Sequence, residues 1–547
     1  MAMKNDVRLG CLLCLLFVQG IPAWSMPPAD LNDPAKTFAR SRVPLEMVEA
    51  FLVLQDTGSV KAYRENLIAR GKDENANRVR FLEELYAGNN AGATQILERI
   101  KKKDARISKQ EKYLNGLVEI QRAFINTKSD HFLVGTSAVD AFLARYTIPS
   151  LESAYGRVAE FFGSSPTFPT VIEIYPNLDS FALATTISKE DIQQNGDVVA
   201  SHFGRIMSLS PGATTLGYRW LDGMVHEYVH QHLHRLSGGN CPGWLQEGAA
   251  RYLEIAWRRP EGFIHSPGER ALLTRAVLSE NGTGGGLLPF EKMETPSLKS
   301  MSQEQRTLVF AETSDAVDFI VQEFGVEKLR ALVRSFRELS RSESFQNILG
   351  MSESDVEKNW RDSLAGLTEV PTDLARGALD GTVRFGEGDD LQLVGDSVRA
   401  LLRQGDQCRQ KGQLNNAVIE YKKAIEQEPD NGVALARLAG IYRDTDKTSS
   451  AEELLKRAVE KNPGYAVPFV RMGRICFDDG RYEEAQQFLQ QALEIHPFQS
   501  EIHEILGLIA VDMGHFVLAK QSLELALRFD PTNIALRQSL DHMPKPR

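Results

Sequence analysis

Two histidines four residues apart with a glutamate beside the first, His226-Glu227-Tyr228-Val229-His230, are the residues of this chain best suited to chemistry. On an α-helix such histidines leave the same face within about 40° of each other, so both imidazoles converge on one metal ion. Glu227 projects beside them, where a carboxylate can take a proton from metal-activated water without being a ligand. The pattern His-Glu-x-x-His is that of a zinc-binding helix. A tetrahedral catalytic zinc needs a third protein ligand and an open fourth position. The stretch Gly243-Trp244-Leu245-Gln246-Glu247-Gly248-Ala249-Ala250 supplies a candidate in Glu247, seventeen residues after His230. Between them, Ser237-Gly238-Gly239-Asn240 and Cys241-Pro242-Gly243 end one helix and let a second fold back beside it.

The paired motifs resemble the gluzincin metallopeptidases, in which His-Glu-x-x-His is followed by a glutamate on the next helix, often as Trp-Leu-x-Glu-Gly-x-Ala. Trp244 to Ala250 match that wording closely. The resemblance implies one zinc ion per chain on His226, His230 and Glu247, general acid/base chemistry at Glu227, and hydrolysis of peptide bonds in a peptide or protein substrate. It spans Asp130 to Gly366. Phe310 to Gly325 resembles the helix that follows the catalytic helices in bacterial gluzincin-like proteins often paired with helical repeats. Relatives commonly begin that helix with a tyrosine, whose hydroxyl would help stabilise an oxyanion. Phe310 has none, which lowers the expected catalytic power and leaves zinc binding untouched. Tyr218, Tyr228 and Tyr252 are other hydroxyl donors nearby in sequence.

The elements around these motifs define a multidomain α+β chain. Apolar residues at three- and four-residue spacing from residue 27 to 124 predict helical hairpins in an N-terminal region, 26–127, with no evident chemistry. A catalytic domain of gluzincin-like, thermolysin-like fold is expected over 128–369. It opens with strands at His131–Gly135 and Thr170–Tyr175 flanking a helix from Ala138 to Phe162. A further strand, Ala200 to Leu209, is interrupted in its alternation by Arg205 and is expected at the sheet edge, where unpaired backbone groups could hold an extended peptide. The motif helix is predicted over Thr215–Leu236 and the Glu247 helix over Trp244–Trp257. Asp222, one turn before His226, is a candidate to orient an imidazole, and His232, His234 and Cys241 are read as non-ligands. The glycines at 282, 284, 285 and 286 suggest a loop walling the cleft. Helical periodicity returns over Leu308–Leu339.

After a Gly-, Asp- and Thr-rich linker, 370–396, the chain becomes periodic. Pro429, Pro463, Pro497 and Pro531 recur every 34 residues, as do Ala417, Ala451, Ala485 and Ala519, with Gly405, Ala439, Gly473 and Gly507 at a small position of each first helix. This resembles the tetratricopeptide repeat, in four copies over 397–533 followed by a tail, 534–547. An α-solenoid of this kind buries one continuous core and presents a concave surface to a protein partner. Residues 1–25 read as a signal peptide cleaved near Ser25-Met26, which implies a periplasmic or extracellular protein, and no later stretch is long and apolar enough for a membrane span. Cys408 and Cys476 fall two repeats apart, too distant to bond. A formal net charge of −10 without a dense basic run argues against nucleic acid.

Two functional readings follow from sequence. In the first the chain is an exported zinc-dependent metallopeptidase whose repeats recruit substrate or a partner. In the alternative the repeats carry the function as a binding scaffold, and the zinc site is structural or inactive. A variant of the first keeps hydrolysis but acts on another amide or an ester, since the zinc mechanism does not specify the acyl partner.

Overall fold

The structure, a computed structural model, describes residues 57–86, 89–101, 105–165, 169–202, 205–259, 267–280, 286–294, 303–367 and 390–542, with isolated positions between them. The expected signal segment, glycines 282, 284 and 285, the linker up to 389 except for positions 383 and 385, and the last five residues lie outside the described residues. The chain divides into two compact units. The first takes in the chain up to Lys189, Val199–Ser208 and Leu221–Val370; the second takes in Glu190–Val198, Leu209–Trp220 and the chain from Pro371.

In the first unit, helices α1 (Thr57–Ala69), α2 (Asp73–Tyr86), α3 (Asn90–Leu97) and α4 (Ala105–Gln121) form the N-terminal hairpins. Their apolar stripes, including Val79, Leu82, Ala93, Ile96, Ile107 and Leu114, meet in one buried cluster. A five-stranded sheet follows: β1 (Ile125–Lys128), β2 (Phe132–Thr136), β3 (Thr170–Tyr175), β4 (Val199–His202) and β5 (Arg205–Leu209), in the order β1-β2-β3-β5-β4. β2 and β3 are parallel, joined through α5 (Ala144–Phe162). β1 pairs with β2, and β4 with β5, antiparallel. α6 (Leu178–Thr185) follows β3 in the chain, and α7 (Lys189–Asn195), which from Glu190 on belongs to the second unit, precedes β4.

Three features differ from the sequence expectation. β1 has no counterpart in the sequence pattern: its side chains are mostly exposed, so no buried alternation marks it. The single edge strand expected over 200–209 is a hairpin, in which β4 is the outer strand and β5 lies inside, between β3 and β4. Arg205 explains why the pattern misled. Its guanidinium is only 2% exposed and pairs with Glu173 on β3 at 3.3 Å, so a charge stands where an interior strand should read apolar. Arg205 also donates to Asn90 Oδ1 on α3 at 2.6 Å, while Gln121 of α4 donates to Glu173 Oε1 at 2.6 Å. The N-terminal helices and the sheet therefore share one buried polar network and one compact unit, although sequence texture placed a boundary near residue 127.

Beyond the sheet come α8 (Trp220–Ser237), α9 (Gly243–Leu253), α10 (Pro267–Glu280), α11 (Gln303–Phe324), α12 (Val326–Ser335), α13 (Arg341–Leu349) and α14 (Glu353–Ser363). The helix expected over 308–339 breaks at Gly325, whose φ of +82° ends α11 and starts α12. Trp244, Phe290 and Trp360 stack in series beneath α9, and Trp244 Nε1 donates to Glu353 at 2.7 Å.

Among its described residues the second unit carries four helix pairs, α15 (Asp396–Gln410) with α16 (Leu414–Gln427), α17 (Gly432–Asp444) with α18 (Thr448–Lys461), α19 (Ala466–Asp478) with α20 (Tyr482–Leu493), and α21 (Ser500–Asp512) with α22 (Phe516–Phe529). The recurring alanines 417, 451, 485 and 519 are all fully buried between paired helices. A last helix, α23 (Ile534–Asp541), occupies most of the stretch expected as a tail, and its Leu536 packs on Leu523 and Ala526 as a closing layer. Cys408 and Cys476 are both free.

Removing the Glu173 carboxylate would strand the buried Arg205 guanidinium. Glu173→Ala is expected to destabilise the first unit by roughly 3–5 kcal/mol, measured as a lowered urea midpoint for that unit's transition, with the repeat transition unmoved.

Candidate metal centre

α8 follows the interrupted stretch 210–219, which sequence periodicity had assigned to the helix from Thr215; Gly217, at φ +74°, delays the start to Trp220. Leu221, Met224, Val225, Tyr228, Val229 and Leu233 are buried at 1% exposure or less. Tyr228 packs edge-on against Phe132 of β2, with ring centroids 5.4 Å apart. That packing fixes the rotation of α8. His226 and His230, four apart, then share another face. The helix ends where expected, with Gly238 and Gly239 at φ +62° and +79°.

α9 starts at Gly243, whose amide donates to Glu294 Oε2 at 2.8 Å. Gly248 allows it to lie against α11 at backbone distance: a Cβ there would stand 2.2 Å from the Thr313 carbonyl oxygen. This close approach leaves the preceding residue, Glu247, facing the two histidines.

The three donors meet. Nε2 of His226 and Nε2 of His230 are 3.1 Å apart, and Glu247 Oε2 lies 3.4 and 3.5 Å from them respectively. A tetrahedral zinc with bonds near 2.0–2.1 Å separates its ligand atoms by about 3.3 Å, so the triangle has the size that zinc requires. Among the described residues, these three form the group of His, Cys, Asp and Glu side chains whose ligand atoms all lie within 4.8 Å of one another. Glu227 is half-buried on the turn that carries His226.

A fourth residue completes the centre. Glu254, two turns beyond Glu247, places Oε2 3.1 Å from His226 Nδ1. A carboxylate on the far nitrogen of a metal histidine fixes its tautomer and orientation. Glu254 is itself held by Arg251, which also binds Glu269 of α10 at 2.6 Å. Asp222, the sequence candidate for orienting an imidazole, instead takes Trp257 Nε1 at 3.0 Å and Arg258 at 2.7 and 3.1 Å. The spacing Glu247, Arg251, Glu254 along one helical face was the available signal for Glu254.

The electrostatics suit a cation. Burial alone would lower the His226 pKa, but hydrogen bonds and charge from Glu247 and Glu254 push it up to about 10. Burial would raise Glu247, but His230 and His226 hold it far below the usual carboxylate range. Two carboxylates around two imidazoles thus draw in positive charge, as a proton or as a metal ion.

The neighbours divide cleanly. His232 is 3% exposed, 3.2 Å from Ser164 Oγ and packed on Phe162, and burial lowers its pKa to about 4. Cys241 is a buried thiol in no disulfide and lies outside the donor group. The Phe310 ring stands 6.5 Å from the His226 ring, nearly perpendicular. Of the three tyrosines, Tyr218 donates to the Leu209 carbonyl, Tyr252 engages Asp318, and Tyr228 turns its ring to the sheet.

Comparisons with known proteins reach the second unit. The tetratricopeptide-repeat family matches residues 409–464 and 446–509. The C-terminal region carries tetratricopeptide repeats, and repeats of this kind bind protein partners. Among solved structures, the chain is similar to the MamA protein, at 26% identity over 27% of this chain and 80% of that one, with a TM-score of 0.24. It is likewise similar to Pseudomonas aeruginosa pilF, at 26% identity over 26% and 66% of the two chains, with a TM-score of 0.25. A fragment of MamA from Desulfovibrio magneticus RS-1 is 17% identical over 27% and 82%, with a TM-score of 0.24. No curated protein matches the chain. Among the described residues, no helix is long and apolar enough to cross a membrane.

Two outcomes test the centre. Glu254→Gln is expected to weaken zinc affinity by roughly 10- to 100-fold, measured by competition with a chromophoric chelator. His226 is raised above its unfolded value of 6.5 in the metal-free chain, so its proton stabilises that chain fully below pH 6.5 and progressively less up to pH 10. Zinc uptake at pH 8 should therefore release about one proton, read by calorimetry in buffers of different ionisation enthalpy, and metal-free stability should fall between pH 7 and 10.

Proposed function

We propose that this chain is a tetratricopeptide-repeat protein that engages a protein partner and carries a zinc-dependent hydrolytic centre acting on peptide bonds. The comparisons support the partner-binding half, because they match the repeats. The hydrolytic half rests on one observation: His226, His230 and Glu247 converge at zinc-ligand spacing with Glu227 on the adjoining position. The likeness of both motifs to the gluzincins supports the same reading, and the N-terminal signal-like segment supports action after export.

Bound by His226, His230 and Glu247, zinc would polarise a carbonyl and make water acidic enough to be deprotonated near neutral pH. The protein's own residues do the rest. Glu227 takes the proton from the attacking water and returns it to the leaving amine. Glu254 keeps Nδ1 of His226 protonated and Nε2 free to face the donor triangle. Arg251 pairs with Glu254 and so balances its charge within the helix layer.

A second reading, a repeat-borne binding scaffold with a metal site that does not turn over, is favoured by Phe310, which puts an apolar ring near His226 where relatives of the gluzincin type present a hydroxyl. One experiment separates the two. Purified protein is assayed for zinc and for cleavage of an unbiased peptide library, beside Glu227→Gln and Glu247→Ala. The hydrolase predicts zinc near one per chain, cleavage abolished in Glu227→Gln with zinc retained, and zinc lost or weakened in Glu247→Ala. Full zinc with no cleavage by the wild-type chain would leave the scaffold; no zinc would remove both the metal site and the hydrolase.

A further inference from the structure

Arginine recurs at one position of the first three repeats. Arg403, Arg437 and Arg471 stand 34 residues apart on α15, α17 and α19, and the same position of the fourth repeat is the buried Ile505. Equivalent positions of stacked repeats fall in a row, so these three lie along the face that the first helices share. Their surroundings differ.

Arg437 holds two carboxylates. Its Nη1 and Nη2 form a fork onto both oxygens of Asp390, at 3.0 and 2.8 Å, and its Nε reaches Asp406 at 2.9 and 3.1 Å. Asp390 lies in the short helical turn Asp390–Leu393, ahead of the first repeat, and the Tyr465 hydroxyl donates to it as well. Arg399 fixes that turn by donating to Leu391 O at 2.9 Å and Val394 O at 2.6 Å, while Leu391 and Val394 join the apolar cluster that contains Val433 and Met472. Burial would raise the Asp390 carboxyl, but Arg437 keeps it below the usual carboxylate range.

Arg471 is the same residue one repeat on, without the acid. Among the described residues it has no ion-pair partner; its guanidinium donates to the Ala436 carbonyl of α17, in the room left by Gly440. Burial pulls its pKa down, and the nearby cations Arg409 and Arg437 add to that. A half-buried cation without a counter-ion is unfavourable, and an arriving carboxylate relieves it. Were packing alone required here, an apolar residue would serve, as Ile505 does in the fourth repeat.

We propose that this face binds an acidic segment of a partner protein, with the segment's carboxylate on Arg471 as Asp390 lies on Arg437. The turn ahead of the first repeat shows what the face accepts: an aspartate on an arginine fork, followed by a leucine that packs beside it. The inference rests on the partner-binding half of the proposed function and needs nothing from the metal centre.

The test uses the full chain, with a chelator present so that no peptide is cut. It is exposed to an immobilised library of capped peptides with Asp-Leu at the centre, and to the same library with Asn-Leu. The wild-type chain is expected to prefer the Asp-Leu peptides, and Arg471→Gln should weaken them by roughly 10- to 100-fold, the scale of one hydrogen bond to a charged group. Because Arg471 has no counter-ion, that change should leave the urea midpoint of the repeat transition unlowered. Arg471→Lys, which keeps the charge but loses the fork, should fall between the two. It also stands in if Arg471→Gln does not fold, and wild-type binding by Arg471→Lys then overturns the proposal. Asp-Leu peptides held equally by the wild-type chain and a folded Arg471→Gln would overturn it too, as would indifference to Asp against Asn; the repeats would still bind peptide, so the partner reading would stand. Binding of neither library sinks the acid site and counts against the partner reading with it.

Discussion

The first unit is arranged around a single electrostatic constraint: Glu247 and Glu254 both face His226, and none of the three side chains is more than 17% exposed. Two ionised carboxylates beside neutral imidazoles would leave uncompensated negative charge in a mostly dry site, which is among the most costly arrangements a fold can hold. Positive charge must therefore come from a proton, an arginine or a metal ion. All three routes are built in. His226 takes up a proton readily, Arg251 neutralises Glu254 while bridging to Glu269, and the donor triangle matches a zinc ion in size. The helix layer follows from this: α9 must approach α8 closely enough for Glu247 to meet the histidines, and the absent side chain at Gly248 lets α11 support it from behind.

The sheet answers a similar problem differently. Arg205 and Glu173 are buried together, and Asn90 and Gln121 from the N-terminal helices add a hydrogen bond to each. The helices thereby become part of the unit instead of a separable appendage, because withdrawing them would expose half-satisfied charges on two strands. Sequence periodicity marks these helices as amphipathic. Their attachment was invisible because it runs through single polar residues far apart in the chain, which carry no period.

The same distinction explains what is legible in the candidate metal centre. His226, His230 and Glu247 stand out because ligand spacing on a helix is a local property, and the glycines at 238 and 239 mark the turn between the two helices. The partner of His226 Nδ1 was not local. Asp222 and Glu254 both lie on helix faces compatible with that role, and the choice is made by Trp257 and Arg258, which occupy Asp222. Arg205 hid an interior strand for a related reason: a buried charge reads as a break in alternation until its partner on the neighbouring strand is known.

The repeats show the limit of periodic evidence from the other side. A 34-residue period reports what each repeat does for the next, since the same small and apolar positions are reused in every layer. It is silent on contacts made once. Two of the three groups that Tyr218, Arg219 and Trp220 meet at Leu493–Ile495 are main-chain carbonyls, which any sequence would present at a helix end. The stretch 215–219 reads as helix in the sequence because Leu216, Tyr218 and Trp220 continue the apolar spacing of the helix that follows. The one local sign was Gly217, a residue poorly suited to a helix interior and well suited to a left-handed turn pressed against another backbone. Aperiodic glycines beside a functional helix are thus the places where a neighbouring main chain is most to be expected.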